Sequence, residues 1–183
     1  MSDIERRYAT LETTITGNKL GGYAAVFNRT TDIGPYLERL APTAFGSVLT
    51  SPTLDVRGLL NHNPDKLFAR TPNTLRLSTD SHGLEFEVDL LPDLPVANEA
   101  RAMVDAGLIT GCSFAFVAKQ QNWSSQEGRK LRTHTSVGEL RDVSLVTYPA
   151  YEGTSVSLRS MPQSIDLRTQ LVLARARTHR KAG

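Results

Sequence analysis

The segment LEFEVDLL, residues 84–91, alternates apolar and charged side chains with a period of two. Because successive side chains of a strand leave opposite faces, its acids share one face and most of its apolar residues share the other. The apolar face consists of Leu84, Phe86, Val88 and Leu90. Similar short runs recur at 20–27, 54–61, 74–78, 109–119, 131–137 and 139–149. The pattern predicts a chain dominated by half-buried antiparallel strands.

Helix signals are few by comparison. The clearest predicted helix spans 93–107, where Asp93 can cap it, Pro95 suits its first turn and Gly107 ends it. A short helix is predicted after Pro42 and another over 164–181. A doubly wound sheet needs many more crossover helices, so this order favours an α+β or barrel-like antiparallel architecture.

The length of 183 residues suits one domain with a tail. We divide the chain into a flexible leader (1–16), a domain (17–160) and a basic amphipathic helix or tail (161–183). Five cations and no acid lie between Arg168 and Lys181, so the basic excess belongs to the tail. No aromatic residue lies among these cations to stack on a base, and nucleic-acid binding is therefore disfavoured.

Several classes of protein are excluded by simpler features. No stretch approaches the roughly 18 consecutive apolar residues of a membrane span. The charged N-terminus, MSDIERRYATLE, has no apolar core of a secretory signal. Cys112 is the only cysteine, so no internal disulfide forms. The four histidines and this cysteine show no spacing such as CxxC or HExxH, and we expect neither a metal nor a cofactor.

Two candidate nucleophiles are adjacent in GCSFAF, residues 111–116. On a strand, Cys112 shares its face with two phenylalanines, whereas Ser113 shares the other face with Ala115 and Val117. The aromatic face is the natural core face, so Cys112 is predicted to pack and Ser113 to be open to another group. A reactive serine needs a base. His62, at a strand end in GLLNHNPDKL, is the first candidate, and mid-strand His134 is its rival.

The segment ELRDVSLVTYP provides two acids that could orient such a base. Asp142 lies on a face that is otherwise apolar or small, and Glu139 leaves the opposite face. An acid in such surroundings usually has a partner. For Asp142 that partner is either the base or an arginine, such as Arg57 or Arg132.

At these residues the sequence resembles the prohead (capsid maturation) serine proteases of tailed bacteriophages, of the HK97 type. Over about residues 17–157 the resembling segments are, in order, GYAAVFN, LERLAPTAFGSVL, DVRGLLNHNPDKLFAR, TLRLSTDSHGLEFEVDLLP, ARAMVDAGLITGCSFAFV and LRDVSLVTYPAYEGT. The resemblance implies the fold of that family and of the related herpesvirus assemblin proteases, an antiparallel β-barrel decorated with helices.

The resemblance also implies roles for individual residues. His62 corresponds to the general base and Ser113 to the nucleophile. Asp142 falls where the family usually has a glutamate before Val-Ser. Since aspartate is shorter, the third role could belong instead to Glu139 or His134, and the assemblins use a second histidine.

The implied function is that of a serine endopeptidase acting inside the immature procapsid in the host cytoplasm. Its partners would be the major capsid protein, whose scaffolding segment it cleaves, and the protease itself, by autocleavage. The sequence leaves open whether the chain forms a homo-oligomer. The alternative is a non-enzymatic scaffold or assembly protein that keeps the fold with an idle site. The presence of all three candidate groups argues against that alternative.

Overall fold

The computed structural model describes residues 3–10 and 13–148. Two helices in these ranges are α1 (Gly46–Leu49) and α2 (Pro95–Asp105). The strands there are β1 (Glu5–Thr10), β2 (Thr13–Thr16), β3 (Lys19–Val26), β4 (Thr31–Asp32), β5 (Leu37–Leu40), β6 (Arg57–Leu60), β7 (Asn63–Arg70), β8 (Leu75–Thr79), β9 (Gly83–Asp89), β10 (Gly111–Gln126) and β11 (Arg129–Val146). The tail predicted at 161–183 lies outside the described residues.

The strands form two sheets. The larger sheet runs β1-β10-β11-β5-β4, and a branch of it pairs β6 with β11 and β7 with β6. The smaller sheet runs β2-β3-β9-β8 and is antiparallel throughout. Buried apolar side chains from both sheets, including Phe86 of β9 and Phe114 of β10, belong to one core cluster. The described part of the protein is therefore mostly β-sheet with few helices.

The expected closed antiparallel barrel is not what the described strands form. Neither sheet closes on itself through these pairings. Strands β1 and β4 lie at opposite ends of the larger sheet, and β2 and β8 lie at opposite ends of the smaller one. The long strand β11 pairs with β10 along one edge and divides its other edge between β5 and β6, both in parallel. Alternation along a sequence predicts which face of a strand each side chain occupies. It does not predict which strands pair with it or whether they run parallel or antiparallel to it.

Part of the segment predicted as a flexible leader is paired instead. Strand β1 pairs antiparallel with β10, and β2 pairs with β3. The sequence of β1, ERRYAT, does not predict a strand, because ion pairs rather than apolar contacts hold two of its side chains. Arg7 bonds Glu38 of β5, and Glu5 bonds Arg132 of β11. The sheet structure therefore begins before residue 17.

Helix α2 confirms the clearest helix prediction within two residues at each end, but its N-cap is Leu94 and no side chain caps it, so the capping predicted for Asp93 is wrong. Pro95 lies in its first turn, as predicted, and Gly107 follows it with a φ of +67°, a left-handed conformation in which glycine is favoured. Among the described residues, no helix combines the length and the apolar character that crossing a bilayer requires.

Candidate active site

His62 lies in the two-residue turn that joins β6 to β7. Leu60 pairs with Asn63 across this turn, and both turn residues have positive φ, 53° for Asn61 and 56° for His62. Positive φ at both positions is what a type I′ hairpin turn requires, and its second position usually holds glycine. An L-residue such as histidine is disfavoured there by about 1 kcal/mol or more. The chain thus places a histidine where the backbone alone favours glycine.

Asn61 ties this turn to the end of β11. Its backbone N–H donates to the Leu145 carbonyl at 2.8 Å. Its side-chain Oδ1 accepts the Thr147 backbone N–H at 2.9 Å, and its Nδ2 donates to Thr147 Oγ1 at 3.1 Å. The turn is therefore fixed against the neighbouring strand, and with it the direction of the His62 side chain.

Ser113, His62 and Asp142 form a continuous hydrogen-bonded chain. His62 Nε2 lies 2.6 Å from Ser113 Oγ, and His62 Nδ1 lies 2.6 Å from Asp142 Oδ1. Ser113 is on β10 and Asp142 is on the adjacent β11, two residues before the position that pairs with Ser113. The structure thus brings together the three residues singled out from the sequence, and the predicted contact between Asp142 and His62 is present.

The three side chains are shielded from water. Ser113 is fully buried, and the His62 and Asp142 side chains are 9% and 11% exposed. Electrostatic interactions in this site are consequently stronger than they would be in bulk water.

The arginines considered as alternative partners of Asp142 are paired with other acids. Arg57 bonds Asp55 at 2.9 Å, and Arg132 bonds Glu5 at 2.7 Å.

The rival candidates from the sequence have other partners. His134 is fully buried, with its Nε2 2.9 Å from Glu38 Oε2 and its ring edge-on to Phe116. Glu139 is half-exposed and bonds Arg141 at 3.1 Å. Neither contact involves His62.

Cys112 packs in the core, as its strand face predicts. It is fully buried with a free thiol, in the same apolar cluster as Phe114. Burial raises the pKa of this thiol to about 12, because the thiolate would be stripped of water. A cysteine nucleophile must ionise, so Cys112 is a poor candidate at neutral pH.

Sequence reasoning placed Ser144 on the face of Asp142 as a small residue, but it missed the contacts that two side chains make at the site. Ser144 donates to Asp142 Oδ1 at 2.6 Å, and its position two residues later on the same face was the available signal. Tyr8 of β1 lies edge-on to His62, with ring centroids 6.2 Å apart. Nothing in the sequence links Tyr8 to residue 62, since the contact depends on β1 joining the sheet.

A second polar cluster lies elsewhere on the larger sheet. One ligand atom each from Glu5, Glu38 and His134 lies within 4.8 Å of the others, a spacing that could suit a cation. Arg7 and Arg132 donate to the same carboxylates, however, so guanidinium groups already supply the positive charge. Burial alone would raise the pKa of Glu38, but ionic hydrogen bonds led by Arg7 lower it to about 2. These donors suit a buried ion-pair network better than a metal centre.

Comparison with known proteins adds two findings. The family model described as caudovirus prohead serine protease matches residues 3–166. Among solved structures, the bacteriophage T4 capsid assembly protease gp21 is similar, with a TM-score of 0.50 and 13% identity over 80% of this chain and 98% of that one. At this identity the likeness concerns the fold alone. No curated protein sequence matches the chain.

Proposed function

The chain belongs to the caudovirus prohead serine proteases, and from that premise we propose that it is a serine endopeptidase that cleaves the scaffolding segment of the major capsid protein. It acts inside the immature procapsid, in the host cytoplasm, and also cleaves itself. Kinship with the herpesvirus assemblin proteases is part of the same proposal.

One observation carries the proposal for the chemistry. The Ser113 hydroxyl, the His62 imidazole and the Asp142 carboxylate are linked by two contacts of 2.6 Å each. Nucleophile, base and orienting acid within hydrogen-bond reach of one another are the arrangement that acyl transfer requires. This arrangement and family membership together support the proposed function.

In the first half of the reaction, Ser113 Oγ attacks the carbonyl carbon of the scissile peptide bond. His62 Nε2 accepts the hydroxyl proton as the bond forms. Asp142 Oδ1 holds the proton on Nδ1, which leaves Nε2 free to act as base, and it stabilises the imidazolium that results. His62 then gives the proton to the leaving amine as the peptide bond breaks.

In the second half, water attacks the acyl group on Ser113. His62 again accepts the proton, now from water, and returns it to Ser113 Oγ when the ester bond breaks. His62 must be neutral to start either half, because only a neutral imidazole accepts a proton.

The experiment co-expresses this chain with the major capsid protein of the same virus and follows the capsid protein for shortening. In parallel, the purified chain is treated with a fluorophosphonate, which phosphonylates an activated serine with loss of fluoride. We expect a shortened capsid protein and a modified Ser113. Ser113→Ala should abolish both results, whereas Cys112→Ala, a change at the neighbouring core residue, should keep both.

An uncleaved capsid protein and an unmodified Ser113 in a folded chain would support the alternative, an assembly protein with an idle site. Modification of a folded Ser113→Ala chain at Cys112 would identify the cysteine, rather than the serine, as the nucleophile.

A further inference from the structure

Ser144 contacts the site but takes no part in the proton transfers just described. It is fully buried on β11, two residues after Asp142, so the two side chains leave the same face of the strand. Its hydroxyl donates to Asp142 Oδ1 at 2.6 Å. We propose that Ser144 is a positioning residue, which holds the Asp142 carboxylate in the orientation that His62 needs. This inference rests on the proposed serine mechanism.

The two hydrogen bonds to Asp142 converge on one oxygen. Oδ1 lies 2.6 Å from His62 Nδ1 and 2.6 Å from Ser144 Oγ. Rotation of an aspartate carboxylate about its last bond is otherwise broad and roughly two-fold. A second donor that is fixed to the same strand restricts that rotation and keeps Oδ1 directed at the imidazole.

The position of Ser144 is itself fixed on both sides. Its backbone lies opposite Ser113 of β10 on one edge of β11 and beside Leu59 of β6 on the other. The hydroxyl donor is thus held by the same two strands that bring Ser113 and the His62 turn together. A rigid donor loses little conformational entropy when it bonds, so more of the hydrogen bond serves orientation.

Charge adds to this geometric argument. The Asp142 side chain is only 11% exposed, so little water is available to solvate its carboxylate. Hydrogen bonds to a charged group contribute more than those between neutral groups. The Ser144 bond stabilises the negative charge that must face the imidazolium when His62 takes the proton from Ser113.

The test is a double-mutant cycle that measures the rate at which the fluorophosphonate modifies Ser113 in the full chain. Ser144→Ala should slow the modification by about 10- to 100-fold, the range expected for one hydrogen bond to a charged group. Asp142→Asn should slow it further. If Ser144 acts through Asp142, adding Ser144→Ala to Asp142→Asn should cause no additional loss.

The matched control is Ser136→Ala, the same change on the same strand. The Ser136 hydroxyl lies 3.3 Å from Ser47 Oγ and contacts no residue of the site, so the parental rate is expected. Should Ser144→Ala fail to fold, Ser144→Cys, which keeps the number of side-chain heavy atoms and replaces the hydroxyl by a weak S–H donor, takes its place in the cycle.

The outcomes separate this inference from the proposed function. A parent that never reacts at Ser113 refutes the serine mechanism and the inference with it. A reactive parent with an unaffected Ser144→Ala variant refutes only the positioning role. Independent, multiplicative effects of the two changes also refute it, because Ser144 would then act by another route.

Discussion

Asp142 and Glu139 are acids three residues apart on β11, and they differ in burial and in hydrogen-bond partner. Asp142 is buried and 2.6 Å from His62 Nδ1, whereas Glu139 is half-exposed and bonds Arg141. The expectation that the two acids leave opposite faces is wrong, because an irregularity between Leu140 and Asp142 breaks the alternation and pairs the acids with Val117 and Ala115, two residues apart on β10. Position along the strand and hydrogen-bond partner, rather than strand face, separate them.

We therefore expect Asp142→Asn to fold and to bind substrate but to lose about 10⁴-fold in turnover, since the amide no longer holds the required tautomer of His62. Glu139→Gln, the matched change on the same strand, should cleave at nearly the parental rate. Cleavage of the capsid protein over time measures both. Equal losses in the two variants, or an active Asp142→Asn, would contradict the assignment.

The backbone at His62 has a counterpart elsewhere on the same sheet. The turn between β10 and β11 also has two residues with positive φ, Glu127 at 53° and Gly128 at 76°. In that turn the second position is glycine, as hairpin chemistry favours. The comparison indicates that histidine occupies position 62 at some loss of stability.

Replacing Gly128 with alanine should measure that backbone effect in isolation. A Cβ at Gly128 or at Gly46 of α1 would meet no atom within 4 Å, but only Gly128 has positive φ. Gly128→Ala should lower the free energy of unfolding by about 1 kcal/mol, whereas Gly46→Ala should leave it unchanged or raise it. Denaturant titration of both variants measures the difference, and equal effects would show that the turn tolerates an L-residue freely.

At the scale of elements, the sequence predicted the face of a strand that a residue occupies better than it predicted which strands pair. The alternation around Ser113 and Cys112 was sufficient to assign the two residues to opposite faces of β10, although both faces are buried there and burial does not alternate. The strand-end position of His62 was likewise readable from its turn residues. Parallel pairing of β11 with β5 and β6 was not, since it joins segments far apart in sequence. Strand β1 escaped detection because ion pairs, rather than apolar residues, hold it.

The buried network that holds β1 gives a prediction about acid stability. The pKa of Glu38 is lowered from 4.5 to about 2. A lowered pKa contributes stability that is complete above the unfolded-state value and is lost as the pH falls from about 4.5 towards 2. A shift of this size corresponds to on the order of 3 kcal/mol at neutral pH. Glu38→Gln should therefore destabilise the protein at pH 7 and match the parent near the acid limit.

Asp32→Asn is the control for Glu38→Gln. Hydrogen bonds led by that from Arg129 also lower the pKa of Asp32 to about 2, but this pair is exposed to solvent, which screens it. A much smaller loss of stability is expected. Urea unfolding at several pH values measures both variants, and equal losses at pH 7 would show that burial does not strengthen the Glu38 network.

At the scale of the whole molecule, the N-terminal residues connect the two sheets with the site. Strand β1 completes the larger sheet beside β10, and β2 completes the smaller sheet beside β3. Tyr8 pairs with Ser113 in the register of β1 on β10, and its ring lies edge-on to His62. The site is therefore assembled from the first strand of the described chain as well as from its last.

Removing β1 should consequently affect both activity and association. A chain in which Met replaces residues 1–10 loses the neighbour of β10 along residues 111–116 and the Arg7 partner of Glu38. An unpaired strand edge is a template for pairing with other chains. We expect fluorophosphonate modification of Ser113 to slow by more than about tenfold and the shortened chain to elute as larger species in size-exclusion chromatography. Removing only residues 1 and 2, which leaves β1 intact, should change neither result. If the chain without β1 reacts at the parental rate and elutes as the parent does, β1 is an accessory strand and the site is complete without it.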